Sequence, residues 1–344
     1  MTDQGSSQGS SVGSSQGSRS HATPHAGANR HVGAAGEGSS PRADKGGRGR
    51  SVAMKAGHSQ GDGGGAARPV GRDDRLYELA GRLTERDRMI CRLLFDHRVL
   101  TTPQVADVAF RSLRKAQERM SILCALGVVD RFRFRLWSGT SPYHFTLGPT
   151  GAAVVAAERG VTVADLGWHR ETATALGTNR QLAHLVGCNG MFCALVRTAR
   201  TRTDCALDEW WSARRCAGAW GEIVRPDAYA VWVEHTVRLP FCFEYDTGTE
   251  TLGRLKAKLD GYARLARAVG HPTWVLFRFP SIGRHSAARR VLAHPEVPVA
   301  TAVIRPDAAP DGPLWRAVTD PGPPCRLIDL GHPSRALGAT TARP

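Results

Sequence analysis

Arg225-Pro226-Asp227-Ala228-Tyr229-Ala230-Val231-Trp232-Val233-Glu234-His235-Thr236-Val237-Arg238-Leu239-Pro240-Phe241-Cys242-Phe243-Glu244-Tyr245-Asp246 is the stretch on which the fold turns. By periodicity, residues 228–234 and 239–245 are two short strands joined by the polar turn at His235 and Thr236. Antiparallel pairing brings Asp227, which opens the first strand, to the end where Glu244 and Asp246 close the second. Glu244 and Asp246 stand two residues apart and share a face, while Phe243 and Tyr245 share the other. Converging carboxylates repel one another unless a cation neutralises them, and a hard divalent ion such as Mg²⁺ or Mn²⁺ is the usual solution. Asp227, Glu244 and Asp246 are therefore the expected metal ligands.

The flanking segments supply the rest of this half. Residues 179–201 read as an amphipathic helix with Leu182, Leu185, Val186, Phe192, Leu195 and Val196 on its buried face. His184 lies within it, and a lone His on a packing helix reads as structural. Segments 207–211 and 220–224 lead into the hairpin. A helix over 250–269, a strand over 273–279, a helix near 285–292 and a strand over 299–304 follow. Helices interleaved with strands in this order predict an α/β sandwich with a mixed sheet.

The stretch 84–147 carries a different pattern. Thr84 reads as an N-cap with Asp87 at the third helical position, and Met89, Ile90, Leu93 and Leu94 give an apolar stripe. Thr102-Pro103 starts a second helix, since proline loses nothing in the first turn. A third helix over 111–126 places Leu113, Ala116, Met120 and Leu123 on one face and Arg111, Arg114, Lys115 and Arg119 on the other. In residues 128–137, Arg131, Arg133 and Arg135 alternate with Phe132, Phe134 and Leu136, which predicts a half-buried strand, and 143–147 returns beside it. Three helices with a basic third one and a basic hairpin describe a winged helix-turn-helix. Its third helix would enter the major groove of double-stranded DNA and its wing would meet phosphates, with those seven basic side chains as the contacts.

Charge is consistent with that partner. The 344 residues hold 46 Lys and Arg against 31 Asp and Glu, a formal +15. Residues 1–70, with eight basic and four acidic side chains, supply only +4 of it. A basic fold favours polyanions. The first 72 residues, rich in Gly, Ser, Ala and His, cannot bury enough apolar surface to order and are expected to be a disordered tail. Residues 307–344 read as a Pro-rich C-terminal tail. Eight scattered cysteines without a Cys-x-x-Cys pair argue against a zinc ribbon or redox motif and for small buried side chains in a reducing compartment. No signal peptide or run of eighteen apolar residues stands out, so a cytoplasmic protein without a membrane partner is expected. Gly61-Asp62-Gly63-Gly64-Gly65 lacks the strand before it and the Gly-Lys-Ser/Thr after it that a phosphate loop needs, so no nucleotide cofactor is expected.

The segments Ile223-Val224-Arg225-Pro226-Asp227-Ala228, Phe243-Glu244-Tyr245-Asp246-Thr247-Gly248-Thr249-Glu250 and Lys258-Leu259-Asp260-Gly261-Tyr262, behind an N-terminal winged helix, resemble the replication-relaxation family of actinobacterial and Gram-positive plasmids and mobile elements. The resemblance covers roughly residues 80 to 295. It implies a role in replication, DNA relaxation or conjugative transfer. The second half is also similar to restriction-endonuclease-like nucleases, which carry Pro-Asp on one strand and (Asp/Glu)-x-Lys on the next. By that similarity Asp227 and Glu244 match metal-binding carboxylates, while Asp246 stands where the nuclease has lysine. Lys256 or Lys258 would supply the missing cation, Lys258 being the better match, and Glu222 or Glu250 would complete the shell. The expected fold is thus α+β: a winged helix over 80–150, then a restriction-endonuclease-like α/β domain with a mixed sheet over 170–306. Three functions follow from it. The first is a DNA-binding protein of plasmid or mobile-element replication, the second a metal-dependent DNA endonuclease using Asp227, Glu244, Asp246 and Lys258. The third is a non-catalytic adaptor for a relaxase or replication initiator.

Overall fold

The computed structural model describes residues 82–178, 181–305 and 307–332, so the expected N-terminal tail lies outside the described residues. Helix α1 (Glu85–His97) starts where Thr84 and Asp87 cap each other: Thr84 N donates to Asp87 Oδ2 at 2.8 Å and Asp87 N donates to Thr84 Oγ1 at 3.3 Å. Strand β1 (Leu100–Thr101) leads directly into α2 (Thr102–Ala109), which Thr101 and Gln104 cap in the same way with Pro103 in the first turn. Ser112 caps α3 (Leu113–Ala125). Strands β2 (Val129–Phe132) and β3 (His144–Leu147) follow, then α4 (Pro149–Glu158). The three strands form an antiparallel sheet in the order β1-β3-β2. Ile90, Leu94, Leu100, Val105, Met120, Leu123, Phe145 and Val155 close its core against the helices.

Two local expectations change. The third helix begins at Leu113, so Arg111 precedes it, and Leu113 itself is exposed. The strand expected over 128–137 leaves the sheet after Phe132, because β3 begins only at His144. Beyond that point the hairpin holds itself by an Arg135–Thr140 bridge and by bonds from Leu136 N to Gly139 O (3.0 Å) and Ser141 N to Phe134 O (2.9 Å).

After a short helix α5 (Arg170–Thr174), α6 (Leu182–Thr201) begins the second half. Then come β4 (Cys205–Ser212), α7 (Ala213–Trp220), β5 (Ala228–Glu234), β6 (Val237–Tyr245), α8 (Leu252–Val269), β7 (Trp274–Phe279), α9 (Ile282–Val291), β8 (Val299–Val303) and β9 (Arg316–Ala317). The six strands line up in chain order, β4-β5-β6-β7-β8-β9. Neighbours are parallel from β6 to β8 and antiparallel elsewhere, a mixed sheet in an α+β chain as expected. Helix α6 packs Met191, Phe192 and Leu195 on Trp232, Phe241, Phe243 and Leu276, while α8 and α9 cover the other face with Leu255, Tyr262 and Ala288.

Helix α6 also holds the first half. Asn189 Nδ2 donates to the carbonyls of His97 (3.1 Å) and Val99 (2.7 Å), and Gln104 Nε2 donates to the carbonyl of Val186 (2.7 Å). Arg200 Nη1 reaches the carbonyls of Asp107 (2.6 Å) and Phe110 (3.0 Å). This double packing accounts for the helix's apolar composition: it is the one described helix long and apolar enough to cross a membrane, and it lies between two cores. Residues 307–332 are no tail. Trp315 is fully buried with Leu327 and Leu330, and Trp315 and Cys325 exchange backbone bonds at 3.1 and 2.8 Å. Their apolar side chains are dispersed among prolines, which hides the pattern. Among the described cysteines all are free, and all but the half-buried Cys124 are buried.

Candidate functional site

The hairpin of β5 and β6 pairs Ala228 with Phe243, so Asp227 sits at the end of the sheet where Glu244 and Asp246 close β6. Asp227, Glu244, Asp246, Glu250, Lys258 and His184 line one cavity of about 280 Å³. A larger cleft of about 1080 Å³, which runs past Arg98 and Arg214, shares His184, Asp227, Thr247 and Thr249 with it. The convergence expected from the hairpin is therefore present, and Lys258, not Lys256, reaches it from α8.

The carboxylates do not stand open, because protein donors meet them. Asp227 Oδ2 accepts from His184 Nε2 and from Tyr245 N, both at 2.9 Å. Glu244 has both oxygens engaged, Oε2 by Lys258 Nζ at 2.7 Å and Oε1 by the Tyr262 hydroxyl at 2.5 Å. Lys258 also pairs with Glu250 at 3.1 Å. Asp246 accepts from Arg284 Nε at 2.7 Å through Oδ2 and from Gly248 N at 2.6 Å through Oδ1. Arg284 is itself fixed by the Glu250 carbonyl. Of the six oxygens on the three expected ligands, five accept bonds from protein donors. Among the described residues no group of three or more His, Cys, Asp or Glu is arranged to hold a metal.

Burial dominates the electrostatics. It pushes Glu244 up to about 7, with Asp227 adding to the shift and Lys258 and Tyr262 opposing it. For Lys258, burial works downward, but Glu244, Asp227 and Glu250 outweigh it and hold the ammonium charged. The hydrogen bond to Asp227 raises His184. Between the ordinary 4.5 of an unfolded Glu and about 7, the folded state therefore binds more protons than the unfolded one, and stability falls as pH rises. His184 adds to the loss above its ordinary 6.5. Urea unfolding should accordingly give greater stability at about pH 5.5 than at about pH 8, and Glu244→Gln should remove most of that slope. A flat profile in the native protein would show that Glu244 ionises normally.

Sequence reasoning missed three of these side chains. His184 was read as structural, yet α6 delivers it to Asp227. Tyr262 had a legible signal, since Lys258 and Tyr262 are four apart and share a face of α8. Arg284, on α9, had none. Position 187 explains how α6 comes so close: a Cβ there would run into the Tyr245 ring. Gly187→Ala should displace Tyr245, whose N–H holds Asp227, and cost about 1–3 kcal/mol of stability by overpacking. Unchanged thermal melting in that variant would mean that the ring moves freely. One row across the sheet from Tyr245 lies Arg278, buried, with Nη1 3.9 Å from Met191 Sδ and Nε without a partner. Burial lowers its pKa, and no carboxylate pairs with it among the described residues.

The second surface is basic. Arg114 and Lys115 project from α3 and share Glu118, at 2.9 and 3.0 Å. Arg119 is placed differently: its guanidinium bonds the fully buried Asp87 at 2.9 and 2.5 Å and ties α3 to the start of α1. Arg131, Arg133 and Arg135 are exposed on the hairpin, the first two over the Tyr143 ring at 4.6 and 4.8 Å. Arg111 is exposed before α3.

A family model described as replication-relaxation matches residues 91–274, from α1 to the start of β7. No curated protein and no solved structure matches the chain.

Proposed function

Because this chain belongs to the replication-relaxation family, we propose that it binds double-stranded DNA and acts in the replication or relaxation of a plasmid or mobile element. The observation that carries the reading is the paired presentation of α3 and the β2–β3 hairpin, which expose Arg111, Arg114, Lys115, Arg131, Arg133 and Arg135 from one small helical unit. That arrangement supports a winged helix over 80–150, with phosphate contacts from both elements. On this reading the half over 170–306 is a nuclease-like scaffold in which Glu244 and Asp246 serve an internal salt-bridge network with Lys258 and Arg284.

Affinity for duplex DNA measured against salt tests the proposal. A steep linear fall of log K with log salt is expected, as counterion release requires. Absence of binding at low salt would favour the adaptor for a relaxase or replication initiator. Mg²⁺ or Mn²⁺ is expected to leave the melting temperature unmoved, and a metal-dependent rise would support the endonuclease alternative.

A further inference from the structure

The tip of the β2–β3 hairpin presents to solvent the kind of side chains that a fold hides. Trp137 is fully exposed, at 107%, with Leu136 at 52% and Phe134 at 37%. The tip has a defined shape. Besides the bonds within the hairpin, Phe134 N donates to Ser141 Oγ at 2.8 Å, and Gly139 takes φ +91°, a conformation that strains any side chain. Behind the tip, Phe132 stacks on His144 at 5.2 Å and Phe134 meets the same ring edge-on at 5.5 Å. On the opposite side Tyr143 holds the guanidinium groups of Arg131 and Arg133.

The flanking chemistry says what the indole meets. Residues 131–143 contain three arginines and no acidic residue, so a polyanion complements them. One exposed indole, one leucine and part of the Phe134 ring offer little area for a protein interface or a membrane, but an indole matches the face of a nucleobase. We propose that Trp137 stacks on an unpaired or unstacked base while Arg131, Arg133 and Arg135 hold the flanking phosphates, so that the hairpin recognises opened DNA. This rests on the DNA-binding reading above and adds the state of the DNA recognised.

The experiment compares the full chain with its Trp137→Ala and Trp137→Phe variants on an end-labelled duplex and on the same duplex carrying a short internal bubble. The native protein should prefer the bubble. Trp137→Ala should lose about 5- to 150-fold in bubble affinity, the range for removing one stacked aromatic, while duplex affinity stays within about twofold and Trp137→Phe keeps most of the preference. Equal binding of bubble and duplex by the native protein, or a Trp137→Ala variant that keeps the preference or weakens both substrates alike, overturns the proposal and leaves duplex binding standing. A change in sedimentation of the free protein on losing Trp137 would assign the tip to self-association and overturn it too. If the native protein binds neither substrate, the DNA-binding reading falls with it.

Discussion

Replacing Arg111, Arg114, Lys115, Arg131 and Arg133 together by Ala should weaken duplex DNA binding by about 10³-fold near physiological salt and flatten the salt dependence by about four to five units of slope. The size follows from counterion release, since each phosphate neutralised by a cation contributes about 0.9 to the slope. All five side chains are exposed, and the contacts they make are to Glu118 and to the Tyr143 ring. Glu118 sharpens the test, because it bonds both Arg114 and Lys115 and sits among the proposed phosphate contacts. Glu118→Gln should raise affinity by freeing both cations. Arg119→Ala should behave otherwise: it strands the buried carboxylate of Asp87 and destabilises the fold instead of changing the slope. Unaltered affinity in the five-residue variant would send the DNA site elsewhere.

Lys258→Met should be the most damaging single change in the cleft, costing about 3–5 kcal/mol, the usual penalty for removing one partner of a buried ion pair. For a folded body of this size that lowers the melting temperature by about 10 °C. The variant leaves Glu244 buried beside Asp227, with Glu250 also losing its cation. Adding Glu244→Gln should recover most of the loss, so a double-mutant cycle should show a coupling above about 1 kcal/mol. Additive effects would mean that Lys258 is held by its stem and not by its charge. Catalysis enters none of these outcomes, so they examine the network whether or not the cleft performs chemistry.

Element types and the central hairpin were legible in the chain because they depend on local periodicity. The alternation from Ala228 to Tyr245 specifies strands whatever they pack on, and it already placed Phe243 and Tyr245 on one face and Glu244 on the other. Thr84 announced the start of α1 through capping chemistry that acts over three residues, whereas the Thr101 and Ser112 caps of α2 and α3 emerged only in the structure. The prolines of 307–332 concealed a packed segment, since dispersed apolar residues have no period to detect.

By itself, then, the sequence determined that Asp227, Glu244 and Asp246 would meet at one end of a hairpin, and that a basic helix and hairpin would precede them. Only the tertiary structure decided what the carboxylates meet. Lys258 was expected through the nuclease resemblance, but His184 comes from α6, Tyr262 from α8 and Arg284 from α9, across separations of 18 to 43 residues. Residues of opposite charge far apart in the chain leave no mark on periodicity. Whether converging carboxylates bind a metal or a guanidinium depends on which side chains the packing of α6, α8 and α9 brings within bonding distance. The same holds for Arg119, which a helical wheel places on the outer face and a buried aspartate claims for the fold.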